Sequence, residues 1–314
     1  MITRGSSRVL RSILPNPDVS HSVADAPSRL QPTPPKWVTD AMPAARSREL
    51  GAGVHAMESG PLVLLTFAIA GAGRMDADAL RDAVAATYGS IGDALAHLQR
   101  KAIRLWNYLP DPGHPMGAGL DRYMVFNAGR YAGYRQWFMA DPAFQMSLAT
   151  ASAVGIACDE LVVHCLASNE QGRAVENPRQ KPAWQYSTRY GPTPPSFSRA
   201  TVATIGRRRL LLIGGTASIV GEDSVHRRDA SAQMSETLTN LATLISTAGN
   251  HAESPSASLS RIRDMRVYVT RSQDAAAIGT ALAARCSGVA HTEMALSRLC
   301  RPELLVEIEG IAEI

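Results

Sequence analysis

The feature that most constrains the fold is an order of strands and helices that occurs twice along the chain. An apolar run at 62–69 predicts a strand, and the helical spacing of apolar residues over 76–98 predicts a helix with Asp76 as its cap. Further strands, a loop at 111–119 and a second helix at 120–138 follow. Beyond a proline-rich segment at 176–198 the order recurs, from a strand at 210–213 to a closing strand that ends at residue 311. The repeat concerns element order and not residue identity. It predicts an α+β (α/β) protein made of two halves, each a sheet with helices.

The boundaries of this plan divide the 314 residues into four parts. Residues 1–50 are predicted to be a flexible leader, 51–175 the N-terminal half, 176–202 a connector rich in proline and aromatic residues, and 203–314 the C-terminal half. The length agrees with two domains of about 150 residues each. A hydrophobic share of 45% is enough for a substantial core.

Composition excludes several classes of partner. The net charge is only +4, and the basic residues are scattered except for the run 207–209, which precedes an apolar strand. With 5% aromatic residues there is little surface on which bases could stack, so we expect no nucleic-acid partner, while an anionic small substrate stays compatible. Since no apolar run approaches the ~18 residues of a membrane span, we expect no membrane partner and a cytoplasmic location.

The four cysteines include no Cys-x-x-Cys pair and are too few for a disulfide scaffold. Cys158, His164 and Cys165 are the one group that suggests a metal. They belong to a strand-like run at 161–166, in which adjacent side chains point to opposite faces. We therefore expect no metal site, and buried cysteines instead.

The closing strand places two acids on one face. In Leu304-Leu305-Val306-Glu307-Ile308-Glu309 the period of two puts Glu307 and Glu309 on the same side, roughly 7 Å apart along the strand. A half-buried strand with an acidic face in water explains this pattern. Alternatively, a carboxyl group in a dry pocket would have a raised pKa and would serve as a general acid near neutral pH.

Three stretches of the C-terminal half are typical of one domain family: Leu211–Ala217 (LLIGGTA), Val267–Thr270 (VYVT) and Leu305–Ala312 (LVEIEGIA). On these, residues 203–314 resemble a RidA/YjgF-type domain, whose chorismate-mutase-like fold is a six-stranded sheet backed by two helices. The N-terminal half resembles a degenerate copy. The imine-hydrolysing members carry an arginine where this chain has Thr292, which argues against imine deaminase activity.

A second set of motifs covers most of the chain. They are Leu105–Pro110 (LWNYLP), Gly119–Tyr131 (GLDRYMVFNAGRY), Asn177–Gln180 (NPRQ), Tyr186–Pro192 (YSTRYGP) and Pro195–Ala200 (PSFSRA). In this order they resemble the chorismatase family, specifically its 3-hydroxybenzoate synthase subgroup in secondary metabolite biosynthesis. The resemblance implies a lyase that removes the enolpyruvyl group of chorismate as pyruvate, with no metal or organic cofactor.

The resemblance also implies roles for two residues. Glu307 matches the family's catalytic acid, which protonates the methylene carbon of the enol ether. Cys300 stands seven residues earlier, where members that form 3-hydroxybenzoate have cysteine and hydrolytic members tend to have alanine. A small thiol there would shape the pocket and exclude water, or it is simply a core cysteine.

Chorismate carries two carboxylates, so its binding site needs cationic and hydroxyl donors in a rigid frame. The planar guanidinium of arginine suits a carboxylate. An arginine in a proline-rich connector can instead bind loop carbonyls, and the paired glycines permit either a close approach to the ring or a bulge. Arg130 and Tyr123 lie on one helix face and either support the site or pack the halves together. The binding candidates are Tyr186, Arg189, Tyr190, Arg199, Gly214, Gly215 and Thr216.

The expected activity is thus conversion of chorismate to pyruvate and 3-hydroxybenzoate, with some 4-hydroxybenzoate as a possible companion product. Two alternatives stay open. One is a chorismate hydrolase that gives pyruvate and a dihydroxycyclohexadienoate, and the other is a non-catalytic RidA-like binding protein that kept the fold and lost the chemistry. Either a monomer or a homotrimer is compatible with the sequence.

Overall fold

Two mixed β-sheets, each covered by helices on one face, form the protein. The computed structural model describes residues 27–51, 53–139, 141, 143–250, 253–286 and 288–314. The predicted α+β class and the two halves of sheet plus helices are confirmed.

The N-terminal half holds a six-stranded sheet in the order β2-β3-β4-β9-β5-β8. All pairs in it are antiparallel except β5 and β8, which run parallel. Helices α2 and α3 pack against each other on one face of the sheet. The elements up to the end of this half are β1 (Ser28–Arg29), α1 (Lys36–Ala41), β2 (Arg46–Glu49), β3 (His55–Ser59), β4 (Leu62–Ile69), α2 (Ala77–His97), β5 (Lys101–Pro110), β6 (Pro115–Gly117), β7 (Leu120–Asp121), α3 (Arg122–Trp137), β8 (Thr150–Ile156) and β9 (Leu161–Ser168).

The C-terminal half holds a seven-stranded sheet in the order β1-β16-β15-β17-β12-β11-β10. Strands β1, β16 and β15 run parallel to one another, and the other pairs are antiparallel. Its elements are β10 (Arg173–Val175), β11 (Ala200–Ile205), β12 (Arg208–Ala217), β13 (Ile219–Val220), β14 (Asp223–Ser224), α4 (Ala230–Gly249), α5 (Pro255–Leu259), β15 (Ile262–Val269), α6 (Ala275–Arg285), β16 (His291–Leu296) and β17 (Val306–Glu313).

The two sheets pack face to face, and the helices lie outside. Strand β4 shows how the sequence achieves this, because its alternate residues enter different cores. Val63 and Leu65 pack with α2 and α3, whereas Leu62 and Leu64 enter a central core shared with the other sheet. A strand buried on both faces reads as a continuous apolar run, which is what 62–69 shows. A third core lies between the C-terminal sheet and its helices.

Helix starts follow their capping residues. The side chain of Asp76 accepts a hydrogen bond from the backbone N–H of Ala79, so α2 begins where the sequence predicts. Asp121 caps α3 in the same way, and the helix therefore begins two residues later than the predicted residue 120. The loop predicted at 111–119 contains the short strand β6.

The segment before the first sheet is packed, although the sequence predicts a flexible leader up to residue 50. Its strand β1 extends the C-terminal sheet, and Leu30, Trp37 and Val38 are buried in the central core. Few apolar residues in irregular spacing make these contacts, and such a segment carries no periodic signal. Residues 1–26 of the predicted leader lie outside the described residues.

The connector boundaries also differ from the prediction by a few residues. The C-terminal sheet begins at β10, before residue 176, and the last residues of the predicted connector already belong to β11. Within the connector the chain forms two short 3₁₀ turns, Ala183–Gln185 and Thr188–Tyr190. The connector lies beside the junction of the two halves, which gives it a place in the site.

The group that suggested a metal does not converge. Cys165 is buried on the helical side of its sheet, whereas His164 faces the other side. There the ring nitrogens of His164 pair with the hydroxyl of Thr66 at 2.8 Å and the carbonyl of Pro32 at 3.0 Å. Among the described helices, none has the length and apolar character to cross a membrane.

Candidate active site

A pocket of about 160 Å³ lies between the two halves. Strand β8 and the start of α3 form one wall, and the connector, β12 and the segment before β17 form the other. The residues in its lining that can donate protons or bind anions are Tyr123, Arg130, Tyr186, Tyr190, Arg199, Cys300, Arg301 and Glu307.

Glu307 lies on β17 and pairs with Ala217 of β12. The residue is only 5% exposed, and it lines the pocket wall. Its side chain makes no hydrogen bond or ion pair in the described part of the chain. Burial, followed by the negative charge of Glu309, raises the pKa of Glu307 to about 8 against the opposing effect of nearby arginines. At neutral pH the group is therefore mostly a carboxylic acid with a proton to give.

Glu309 lies two residues further along and has a different environment. Its carboxylate accepts hydrogen bonds from Arg104 at 2.7 Å, Trp106 at 3.0 Å and Tyr268 at 2.7 Å, and from the hydroxyl of Ser152. It is 1% exposed. Four donors satisfy this carboxylate, so it ties the two sheets together and has no free oxygen for a substrate.

The pattern of alternation thus places both acids on one face correctly, but that face is not in water. It packs against the N-terminal sheet, so the dry-pocket alternative describes Glu307 and the acidic face in water is wrong. The strand itself begins at Val306, two residues later than predicted, after a turn at Arg301–Leu304.

The glycine pair of β12 makes room for the acid. The pairing of β12 with β17 shifts between Ile213 and Thr216, so the paired glycines form a bulge. A Cβ atom at Gly215 would overlap the Oε1 atom of Glu307. Gly215 lines the pocket, whereas Gly214 packs against Thr150 and Arg199 behind it. The absent side chain at residue 215 is what lets the carboxyl group lie flat against the strand.

Arg199 forms one cationic wall. It is buried, and its Nη2 atom donates to the Lys181 carbonyl at 3.0 Å and to the hydroxyl of Tyr186. The guanidinium also lies 5.3 Å from the ring centre of Phe197. Its Nη1 atom makes no hydrogen bond to any described residue, so this edge is available to an anion.

Arg301 forms a second cationic wall, although it is not among the binding residues that the sequence predicts. Its guanidinium lies 3.8 Å from the ring centre of Tyr190 and 5.1 Å from that of Tyr186. Its Nη1 atom donates to the Glu222 carbonyl at 2.8 Å. The stacking fixes the plane of the fork, which leaves its other nitrogen atoms for a ligand.

Arg130 of α3 is a third cation, and for this residue the sequence left two roles open. It is completely buried, lines the pocket, and donates to Asn127 at 2.7 Å, but no carboxylate of the described residues pairs with it. Tyr123 lies on the same face of this helix and also lines the pocket. Burial raises the pKa of Tyr123 well above its ordinary value, so the side chain is a neutral phenol. A buried cation without a counter-ion favours an anionic ligand.

Cys300 lies in the pocket wall near Glu307. Burial, with the charge of Glu307 as a second cause, raises the pKa of the thiol to about 12. Because the thiolate is the nucleophilic form, this cysteine is not set up for attack on a substrate. It occupies space next to the acid.

Three predicted binding residues do not line the pocket. Arg189 has a side chain that is 56% exposed and pairs with Asp223 on the β13–β14 hairpin. Thr216 points away from the pocket because Gly215 and Ala217 on either side of it face the pocket, and its hydroxyl donates to the Gly214 carbonyl at 3.0 Å. Gly214 is the third.

Taken together, the site offers one buried neutral acid, three arginines around it and several phenolic hydroxyls. Such a set is suited to bind a small molecule with more than one carboxylate and to deliver a proton to one of its atoms.

Comparison with known proteins points to one family. Residues 37–167 match the family model described as chorismatase FkbO/Hyg5-like, N-terminal. A 3-hydroxybenzoate synthase of Streptomyces hygroscopicus is 30% identical over 284 residues, which are 88% of this chain and 80% of the relative. A chorismatase of Streptomyces rapamycinicus is 33% identical over 236 residues, which are 72% of this chain and 69% of the relative.

A solved structure is similar to this chain over most of its length. The crystal structure of a chorismatase superimposes with a TM-score of 0.75 at 28% sequence identity. The match covers 85% of this chain and 79% of that one.

Proposed function

This chain belongs to the chorismatase family, and from that premise we propose that it cleaves chorismate to pyruvate and 3-hydroxybenzoate. One observation carries the proposal: Glu307 is a buried acid with a pKa of about 8, surrounded by arginines, in a pocket of the size of a small molecule. A group that keeps its proton at neutral pH is suited to general-acid catalysis. The name of the S. hygroscopicus relative supports the aromatic product.

The arginines suit the two carboxylates of chorismate differently. Arg199 and Arg301 both act electrostatically on Glu307, whereas Arg130 approaches from α3. The methylene carbon of the enolpyruvyl group is attached to the carbon that bears its carboxylate. We therefore assign that carboxylate to Arg199 and Arg301, and the ring carboxylate to Arg130.

The first chemical step is proton transfer to carbon. Glu307 donates its proton to the methylene carbon, which becomes a methyl group, and the electron deficit is shared between the adjacent carbon and the ether oxygen as an oxocarbenium ion. The negative charge left on Glu307 lies close to this cation and stabilises it. Arg199 and Arg301 hold the carboxylate beside the reacting carbon.

The second step decides the product. The bond between ring carbon 3 and the ether oxygen breaks, and its electron pair completes the ketone of pyruvate. The oxygen of the 4-hydroxyl bonds to ring carbon 3 and loses its proton to the Glu307 carboxylate. Opening of the bond between this oxygen and carbon 4, with loss of the hydrogen on carbon 3 as a proton, yields 3-hydroxybenzoate. Cys300 supports this internal route because it fills space where a water molecule would otherwise attack.

Chorismate is the small-molecule partner in this proposal. The absence of a cofactor requirement, the cytoplasmic location and the monomeric or trimeric state stay predictions. The test is to incubate purified protein with chorismate, with and without a metal chelator, and to separate the products by chromatography. The expected result is equimolar pyruvate and 3-hydroxybenzoate, undiminished by chelator and lost in Glu307→Gln but kept in Glu160→Gln, which changes an exposed acid. A dihydroxycyclohexadienoate instead would show a hydrolase, and no pyruvate would contradict the proposal.

A further inference from the structure

Glu176 contacts Arg199 without lining the pocket itself. Its Oε1 atom accepts a hydrogen bond from the backbone N–H of Arg199 at 3.3 Å. Its Oε2 atom lies 4.0 Å from the Nε atom of Arg199, at the outer limit of an ion pair. The Oε2 atom of Glu176 and the Nε atom of Arg199 are both buried, and neither has a hydrogen-bond partner among the described residues. The ion pair between Glu176 and Arg199 is therefore long and has no hydrogen bond between its two side chains.

The rest of the Arg199 guanidinium is held firmly. Nη2 donates to the Lys181 carbonyl and to the hydroxyl of Tyr186. The guanidinium carbon lies 5.6 Å from the ring centre of Tyr186 and 5.3 Å from that of Phe197. The Nη1 atom makes no hydrogen bond in the described part of the chain, the Nε atom faces only Glu176, and Arg199 lines the pocket. Glu176 thus contacts Arg199 at its Nε atom and supplies a counter-charge when no ligand is present.

A ligand carboxylate on Nη1 would place two anions around one buried cation. Two negative charges that share a dry site disfavour each other, and the one that is loosely paired is neutralised at the lower cost. We propose that Glu176 is a positioning residue that orients Arg199 and takes up a proton when the substrate carboxylate binds. This inference rests on the proposed function, because it assigns a carboxylate to Arg199.

The shift in the pKa of Glu176 agrees with proton uptake by this residue when a substrate carboxylate binds. Burial raises the pKa of Glu176 to about 7, while the charge of Arg199 opposes the shift. Arg199 is the charged group that acts on it in the described part of the chain. A second anion nearby raises the pKa further, so proton uptake falls in the neutral range.

Calorimetric titration of chorismate into Glu307→Gln protein tests the proposal. This background prevents turnover and removes the titration of Glu307 itself. Repeating the titration at pH 7.5 in buffers of different ionisation enthalpy gives the number of protons taken up on binding. Three proteins are compared: E307Q, E307Q with Glu176→Gln, and E307Q with Glu170→Gln, which removes an exposed acid six residues away.

We expect E307Q and the Glu170 control to take up as much as roughly 0.8 proton per chorismate at pH 7.5, the ionised fraction for a pKa of about 7. The variant with Glu176→Gln should take up almost none and should bind chorismate severalfold more tightly at pH 8.5. Equal uptake in all three proteins would overturn the role of Glu176 and leave the proposed function intact. Failure of chorismate to bind any of them would overturn both.

Steady-state kinetics of Glu176→Gln in otherwise unchanged protein give a second measurement. The rise of the KM for chorismate between pH 6.5 and 8.5 should be smaller than in the wild type, and only the part that Glu307 causes should stay. The pH dependence of kcat that Glu307 imposes should be unchanged. A purely structural role would change both parameters without altering the pH dependence of KM. That result would contradict the proposal.

Discussion

Replacing Glu307 by glutamine should stabilise the protein at alkaline pH while removing its activity. The substitution keeps the shape of the side chain and removes its charge. In the folded protein the pKa of Glu307 is about 8, against an ordinary value of 4.5. Ionisation is therefore easier in the unfolded chain than in the folded one. This difference lowers the free energy of unfolding of the wild type. The loss is absent below pH 4.5 and grows as the pH rises towards 8.

The magnitude follows from the two pKa values. At 1.36 kcal/mol per pKa unit, the step from 4.5 to about 8 corresponds to roughly 5 kcal/mol as an upper limit. The wild type should lose up to about 1.4 kcal/mol of unfolding free energy per pH unit relative to the variant between pH 5 and pH 8. Glu176 and the other acids are present in both proteins, so their contributions cancel in the difference.

Urea unfolding of both proteins at pH 5, 6.5 and 8 measures this difference directly. The variant should gain stability over the wild type progressively as the pH rises, and its kcat should fall on the order of 10²–10⁴-fold, the usual contribution of a general acid. A difference in unfolding free energy that is the same at pH 5 and pH 8 would refute the argument that Glu307 is held as a neutral acid.

Four further substitutions test the rest of the site. Cys300→Ala should move the product ratio towards the hydrolytic dihydroxy acid in chromatography while pyruvate formation stays; an unchanged ratio would contradict its role. Glu309→Gln should lower the unfolding free energy by about 3–5 kcal/mol because it leaves Arg104 buried without its counter-charge; a small loss with a larger kcat defect than Glu307→Gln would make Glu309 the acid. Gly215→Ala should reduce kcat by displacing the Glu307 carboxyl, with little change in melting temperature because that group is flexible; normal kcat would contradict the packing argument. Arg199→Lys should raise the KM for chorismate about tenfold or more since the planar fork is lost; an unchanged KM would remove Arg199 from the binding site.

The elements that the sequence predicts well are those with a strong period or a cap. Strand β4 occupies the predicted 62–69 because its two faces enter two different cores, and α2 begins after Asp76 because that side chain satisfies the first turn. The sequence does not predict the packing of segment 27–50, because residues such as Trp37 make a few irregularly spaced contacts that leave no period to detect.

The site could be predicted only in part. Alternation places Glu307 and Glu309 on one face, but it cannot say that a second sheet covers that face, because the packing of two sheets depends on contacts between distant parts of the chain. Arg301 and Arg130 come from a turn and a helix far apart in sequence, and only the fold brings them to one pocket. Arg189 lies next to Tyr190 in sequence yet faces outward, because adjacent residues of a turn point in different directions.

The most direct test of the central claim is to carry out the reaction in deuterium oxide. Pyruvate released from chorismate is reduced at once to lactate by added lactate dehydrogenase and NADH, which prevents later exchange of its methyl hydrogens. If a solvent-derived proton is delivered to the methylene carbon, the methyl group of the lactate carries one deuterium, and 3-hydroxybenzoate appears in equal amount. Lactate without deuterium in its methyl group, or no lactate at all, would contradict the account.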